Sequence, residues 1–166
     1  EDIASNTTSD FQVSFTPKNN VTAAEHLFTI IATSQGNTSR FDSTVVGITL
    51  NQYYGLRLIM PLDYQKVFPG NTLFYPVKII NDGNGEDTFD LYTSSDWGAQ
   101  TRIDGSPSGE ITLAAFRSVD AELKIVVPET VSVNDFKEIP FTAISQGDST
   151  ISISKVSNTS IGIMRA

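Results

Sequence analysis

The 166-residue sequence has no cysteine, one histidine and one tryptophan. Without cysteine there is no disulfide, no thiolate zinc cluster and no cysteine nucleophile, so stability must come from packing. His26 sits in a strand-like stretch with no serine elbow beside it, and reads as a solvated strand residue rather than a general base. Basic residues are scarce too: 11 Lys and Arg against 19 Asp and Glu give a formal net charge of -8. Such a surface repels phosphate backbones and anionic lipid, which sets nucleic acid aside as a partner. No run of about 18 apolar residues is present. The opening "EDIASNTTSD" has neither a basic nor an apolar targeting region, so the expected reading is a soluble excised segment whose targeting signals, if any, lie outside it.

What the chain does have is strand chemistry. Hydrophobic residues make up 39%, with ten Phe and five Tyr, and the apolar positions alternate rather than recur at helical spacing. "TLFYPVKII" (72–80) puts Leu73, Tyr75, Val77 and Ile79 on one face. "TFDLYTS" alternates Phe89, Leu91 and Thr93, "AELKIVVP" alternates Leu123, Ile125 and Val127, and "STISISKVS" alternates Ile151 and Ile153. Pro76 lacks a backbone donor, so its strand either lies at a sheet edge or turns that position away from its neighbour. "NVTAAEHLFTIIA" is the one helix candidate, since Ala23 to His26 favour helix and Phe28 to Ile31 favour strand.

An internal repeat decides that case. Laying Pro17 over Pro128 brings Ala32 over Ala143 and "SQG" (34–36) over "SQG" (145–147), an offset of 111 residues. The second copy, "EIPFTAISQG", carries a proline inside the segment, which argues against helix in both. Beyond the turns "YYGLRL" (53–58) matches "SIGIMR" (160–165) if a short deletion is allowed. Residues 53–160 then form one complete immunoglobulin-like β-sandwich repeat, residues 1–52 the last three strands of a preceding repeat, and residues 161–166 the start of a following one. Three strands with one apolar face need a cover. Either the complete unit supplies it, or two chains exchange strands and form a homodimer.

"FPGNTLFYPVKIINDGNGEDTFDLYTSSDWG", followed by "ITLAAFRSVDAELKIVVPE" and "FTAISQGD", resembles the NEW3 family and its CARDB-like relatives. The residues that carry the likeness are Pro69 and Gly70, Asn81 with Gly83 and Asn84, Trp97, Pro128, and Ser145 with Gly147. The resemblance implies immunoglobulin-like β-sandwiches in tandem on secreted or cell-surface proteins of archaea and bacteria, with no shared catalytic residues. One departure is that "AAFRSVD" stands where the family has a Pro-Gly-like turn before the "AELKIVVP" strand. Four Asn-x-Ser/Thr sequons, at Asn6, Asn20, Asn37 and Asn158, also suit an extracellular setting.

The acidic stretch "NDGNGEDTFD" (81–90) invites a calcium reading, with Asp82, Asn84, Glu86 and Asp90 as oxygen donors. The helix-flanked calcium loop fails, because Asp87 stands where its glycine belongs and Thr93 where its final glutamate belongs. A sandwich-edge site from Asp82, Glu86 and Asp87 remains as a candidate metal site. The alternative is a hairpin connection in which Gly83 and Gly85 take positive φ and Asn81 and Asp82 hydrogen-bond the local backbone. For ligands the candidates are the aromatic side chains of Trp97, Tyr92, Tyr53 and Tyr54, which can stack on a sugar or fill a partner's pocket. They compete with plain structural roles, Trp97 at one end of the core and the tyrosine pair at the joint between units. The carboxylates Asp87 and Asp90, or Asp120 and Glu122, read as outward strand positions rather than a glycosidase pair.

The expectation is a non-enzymatic spacer or adhesive module of an extracellular or cell-envelope protein, needing no cofactor and meeting neighbouring repeats or other proteins. The alternative is a carbohydrate-binding or accessory module of a secreted hydrolase, with glycan as partner.

Overall fold

In a computed structural model, which describes residue 3 and residues 6–162, the chain is all-β. The strands are β1 (Ala24–Thr33), β2 (Phe41–Leu50), β3 (Leu56–Ile59), β4 (Tyr64–Val67), β5 (Thr72–Asn81), β6 (Asp87–Thr93), β7 (Gly98–Ile103), β8 (Ser106–Pro107), β9 (Glu110–Leu113), β10 (Ser118–Val126), β11 (Phe136–Ser145) and β12 (Ser152–Ile161). One sheet runs β3-β5-β10-β7-β8 and a second runs β4-β12-β11-β6-β9, while β1 and β2 make a separate hairpin. All pairings are antiparallel except β4 with β12, which is parallel. Among the described residues no helix is long and apolar enough to cross a membrane.

Alternation explains why the two sheets face each other. In β5, Leu73, Tyr75, Val77 and Ile79 are buried while Thr72, Phe74, Pro76 and Lys78 are exposed, the period of two that a half-covered strand requires. They meet Phe89 and Leu91 of β6 and Ile139, Phe141 and Ala143 of β11 in one core, with Trp97 at its margin. The Tyr75 hydroxyl spans the two sheets, donating to the Asn158 carbonyl (2.7 Å) and lying 2.9 Å from Thr159 Oγ1. Burial pushes the Tyr75 phenol above its ordinary pKa, and the Thr159 contact works in the opposite direction.

Pro76 is not at an edge. Glu122 of β10 stands opposite it, whereas β3 reaches only as far as Lys78. Phe74 shares its side of the strand, and the Phe74 carbonyl is taken by the Gln65 side chain at 2.7 Å. Residues two apart point their backbone groups the same way, so the donorless nitrogen of Pro76 faces the gap beyond β3 and costs the ladder nothing.

Four expectations change. Among the described residues, the stretch 1–52 contributes two strands, not three: residues 10–17 form no strand. The matching region of the complete unit, β10, is held between β5 and β7. The deletion also disappears. Thr33 pairs with Phe41 and Ile144 with Ser152, so the offset of 111 runs unbroken through both hairpins. Under that offset Ile161 matches Leu50. It closes β12 at 1% exposure, so it belongs to the sandwich and not to a following unit, and residues 163–166 lie outside the described part. Finally, "NDGNGED" is not a hairpin turn, because β5 and β6 belong to different sheets; it is a crossover.

Two turns have recognisable chemistry. Phe68 to Asn71 closes with a 3.3 Å backbone bond and Gly70 at φ 80°, a type II turn with Pro69 ahead of its glycine. In "AAFRSVD" the bend is made by Phe116 at φ 59°, a conformation that a glycine would adopt without strain. Replacing Tyr75 by Phe leaves the packing but removes the hydroxyl between the sheets, so urea unfolding should show a loss of about 1–3 kcal/mol. A change smaller than 0.5 kcal/mol would deny the hydroxyl a role.

Candidate functional site: the joint between hairpin and sandwich

The crossover from β5 to β6 is built on two buried carboxamides. Asn81, fully buried, donates through Nδ2 to the carbonyls of Gly85 (2.9 Å), Leu113 (2.9 Å) and Ala114 (3.2 Å), while its Oδ1 accepts the Gly83 N–H at 2.8 Å. That holds the loop into a fixed curve. Its outer side then grips the segment 51–55 that joins β2 to β3.

Asn84, 1% exposed, does most of the gripping. Its Oδ1 accepts the Tyr53 N–H (2.7 Å), its Nδ2 donates to the Asn51 carbonyl (3.1 Å), and its own N–H donates to the Tyr53 carbonyl (3.2 Å). The Asn84 carbonyl accepts the N–H of Ala23, just ahead of β1, at 2.8 Å. Asp82 N–H donates to the Gly55 carbonyl (3.0 Å) and Gln52 Nε2 to the Glu86 carbonyl (2.9 Å). Arg57, on β3, meets both oxygens of Asp82 at 2.8 Å. A linker held at nearly every residue is a fitted joint rather than a tether.

The glycines serve this contact through their missing side chains. Neither Gly83 nor Gly85 has positive φ, which among the glycines is confined to Gly70 and Gly105, so the expected turn conformation is replaced by a close approach. A Cβ on Gly83 would lie 2.7 Å from the Tyr53 carbonyl oxygen, and one on Gly85 would run into the Gln52 side chain. Gly147, from the last turn, is covered by the Tyr54 ring.

The same turn receives Asp87. At 5% exposure, Asp87 points inward, contrary to the outward position expected of it. Its Oδ2 accepts the Ser145 hydroxyl (2.6 Å) and its Oδ1 the Gly147 N–H (3.1 Å), while the Thr88 carbonyl accepts the Gln146 N–H (2.8 Å). The candidate metal site is therefore dispersed: Asp82 is engaged by Arg57, Asp87 by Ser145 and Gly147, and Glu86 offers its carbonyl to Gln52. No group of three or more His, Cys, Asp or Glu is placed to hold a metal ion among the described residues.

The candidate ligand aromatics are not assembled either. Trp97 is 6% exposed and takes part in the core, unavailable for stacking. Tyr53 and Tyr54 lie at the joint, and Tyr92 is an exposed residue beside an open depression of about 380 Å³ between β6 and β7. Asp120 and Glu122 do face outward, near Lys78 and Arg102 respectively. Asn158, one of the four sequons, directs its Nδ2 at the Asp63 carbonyl, 3.3 Å away.

No protein-family model matches the sequence, and no curated protein matches it. Among solved structures, a family 123 glycoside hydrolase from Clostridium perfringens aligns with a TM-score of 0.48 at 8% identity, over 69% of this chain and 28% of that one. A PapD-like domain of human CEP192 gives 0.41 at 9% identity, over 67% of this chain and 86% of that domain. BcpA, the major pilin subunit of Bacillus cereus, gives 0.30 at 12% identity, over 81% and 47%. The chain thus spans less than a third of the hydrolase it matches. Likenesses of this grade carry no functional role across.

Gly83→Ala should cost about 1–3 kcal/mol in chemical denaturation and speed hydrogen exchange at Tyr53, because the loop must move off the linker. Gly36→Ala, with nothing within 4 Å of the new methyl, should stay within about 0.5 kcal/mol. Equal effects would mean that the joint is not tightly fitted.

The Arg57 hydrogen bond lowers the Asp82 pKa below its ordinary 3.8, with desolvation opposing. A folded value below the unfolded one contributes stability that is complete above about pH 4 and is lost as pH falls through the lowered value. The melting-temperature gap between the natural chain and Asp82→Asn should be constant from pH 5 to 8 and shrink only below about pH 4. A gap that changes between pH 5 and 8 would point to a different titrating group.

Proposed function

We propose that this chain is a non-catalytic structural module of an extracellular or cell-envelope protein, a spacer in a tandem array of β-sandwiches of the NEW3 and CARDB-like kind. The observation that carries this reading is the joint. Five of the residues that carry the family likeness, Asn81, Gly83, Asn84, Ser145 and Gly147, hold the crossover, grip the linker or form the turn beside it. Residues used this way set the angle between successive units instead of forming a reaction centre. The 111-residue offset, kept through both hairpins, supports the repeat. A charge of -8 suits a surface that stays soluble and unassociated along its length.

The test is nitrogen-15 relaxation on the whole chain. Residues 24–50 should tumble with the same correlation time as the sandwich, and Asn84→Ala should lower the hairpin's value by about a factor of two while the sandwich still folds. Independent tumbling in the natural chain would overturn the spacer reading. Glycan-array binding that disappears on Tyr92→Ala would replace it with an accessory module.

A further inference from the structure

The β1–β2 hairpin repeats the β11–β12 hairpin bond for bond. In the first turn Ser34 N–H donates to the Arg40 carbonyl (2.9 Å), Arg40 N–H to the Asn37 carbonyl (2.9 Å), Asn37 N–H to Ser34 Oγ (3.3 Å) and Ser39 N–H to Asn37 Oδ1 (3.1 Å). Adding 111 to every number gives Ser145 to Ile151 (3.0 Å), Ile151 to Asp148 (2.9 Å), Asp148 to Ser145 Oγ (3.0 Å) and Thr150 to Asp148 Oδ1 (3.0 Å). The two turns are the same device.

They differ in what they hold. The second turn delivers the Ser145 hydroxyl and the Gly147 N–H to the Asp87 carboxyl, and the Gln146 N–H to the Thr88 carbonyl. In the first turn the corresponding donors are the Ser34 hydroxyl, the Gly36 N–H and the Gln35 N–H. None of them meets an acceptor among the described residues, and a Cβ on Gly36 would have nothing within 4 Å. The neighbouring edge is open in the same way. Phe141–Ser145 of β11 pair with Thr93–Phe89 of β6, whereas the matching Ile30–Ser34 have no strand on the side away from β2 among the described residues.

The face follows suit. Ile139, Phe141 and Ala143 are fully buried, while their counterparts Phe28, Ile30 and Ala32 are covered only in part. Phe15 packs on Phe28 with ring centroids 4.5 Å apart. Beside that contact, a groove of about 530 Å³ lies over His26, Ile48 and Leu50.

We infer that the Ser34–Gly36 turn and the open edge of β1 form a recognition site for an extended strand with the chemistry of β6: a leading aspartate, then alternating apolar side chains, as in Asp87, Phe89 and Leu91. Its carboxyl seats on the Ser34 hydroxyl and the Gly36 N–H, its backbone pairs with residues 30–34, and its apolar side chains enter the face next to Phe28 and Ile30. The occupant is the front part of a like repeat that lacks its own closing hairpin. A second copy of this chain is a poor donor, since its Asp87 is 5% exposed and its β6 is already enclosed between β11 and β9. This inference rests on the tandem-repeat reading above and names the partner that reading leaves open.

The probe is a second copy of residues 84–95, "NGEDTFDLYTSS", fused ahead of Glu1 through a flexible glycine-serine linker of about 20 residues, which sets a millimolar effective concentration. Amide hydrogen exchange at Gly36 and Thr33 should slow at least about tenfold relative to the unextended chain. Replacing the first aspartate of the fused segment, the copy of Asp87, by alanine should return Gly36 to within about twofold of its original rate. No slowing, or slowing that survives the alanine, overturns the inference. Sedimentation equilibrium of the unextended chain adds the other arm: a dimer in which Gly36 becomes protected with concentration overturns the assignment in favour of a second copy. A joint that stays rigid in the relaxation experiment while the fused segment has no effect discards this inference alone and leaves the spacer reading standing.

Discussion

Two buried asparagine side chains determine how the rest of this molecule is arranged. The chain must cross from one sheet to the other between β5 and β6, and a buried crossing loop leaves polar backbone groups that water cannot reach. Asn81 answers the loop's inner groups and Asn84 answers those of a segment about thirty residues earlier. A carboxamide suits both tasks because it donates and accepts from one planar group. Aspartate in either position would present acceptors to the carbonyls of Leu113 or Asn51. The loop that completes the core therefore also positions the linker, and the fold of one unit cannot be separated from the direction of the chain entering it.

Much of this was legible in the residues themselves. The alternation of Leu73, Tyr75, Val77 and Ile79 placed β5 and its inward face, and the proline in "EIPFTAISQG" turned an ambiguous helical stretch into β1. Both readings rest on local periodicity, which a single sequence displays in full. The site was harder to see. Gly83 and Gly85 looked like turn residues because positive φ is the commonest use of glycine, whereas here they make room for Tyr53 and Gln52. That need arises from a segment distant in sequence. Asp87 was misplaced for a similar reason, since its partners Ser145 and Gly147 lie about sixty residues away. Their recurrence as "SQG" in both copies was the available signal, and it marked a turn with an aspartate to hold.

Trp97 and residues 10–17 show two other limits of the sequence. A lone tryptophan reads equally well as an anchor for ligand or for core, and only its burial decides. Residues 10–17 carry the apolar alternation of a strand in Phe11, Val13 and Phe15, yet they form no strand because strand formation depends on a neighbour's edge as much as on propensity. Alternation foretells which face a strand will bury, and says nothing about whether a partner is there to pair with.

The parallel pairing of β4 with β12 has a mechanical consequence. Asn158 to Ile161 lie alongside Tyr64 to Val67, so the strand near the entrance of the sandwich and the strand at its exit run side by side in one direction. Tension applied through the two ends pulls these strands in opposite senses along their length, and the hydrogen bonds between them must yield together instead of opening one after another. Antiparallel pairing at the same place would peel like a zipper. Under such tension the unit is loaded in shear across four residue pairs, the last of which joins Val67 to the buried Ile161.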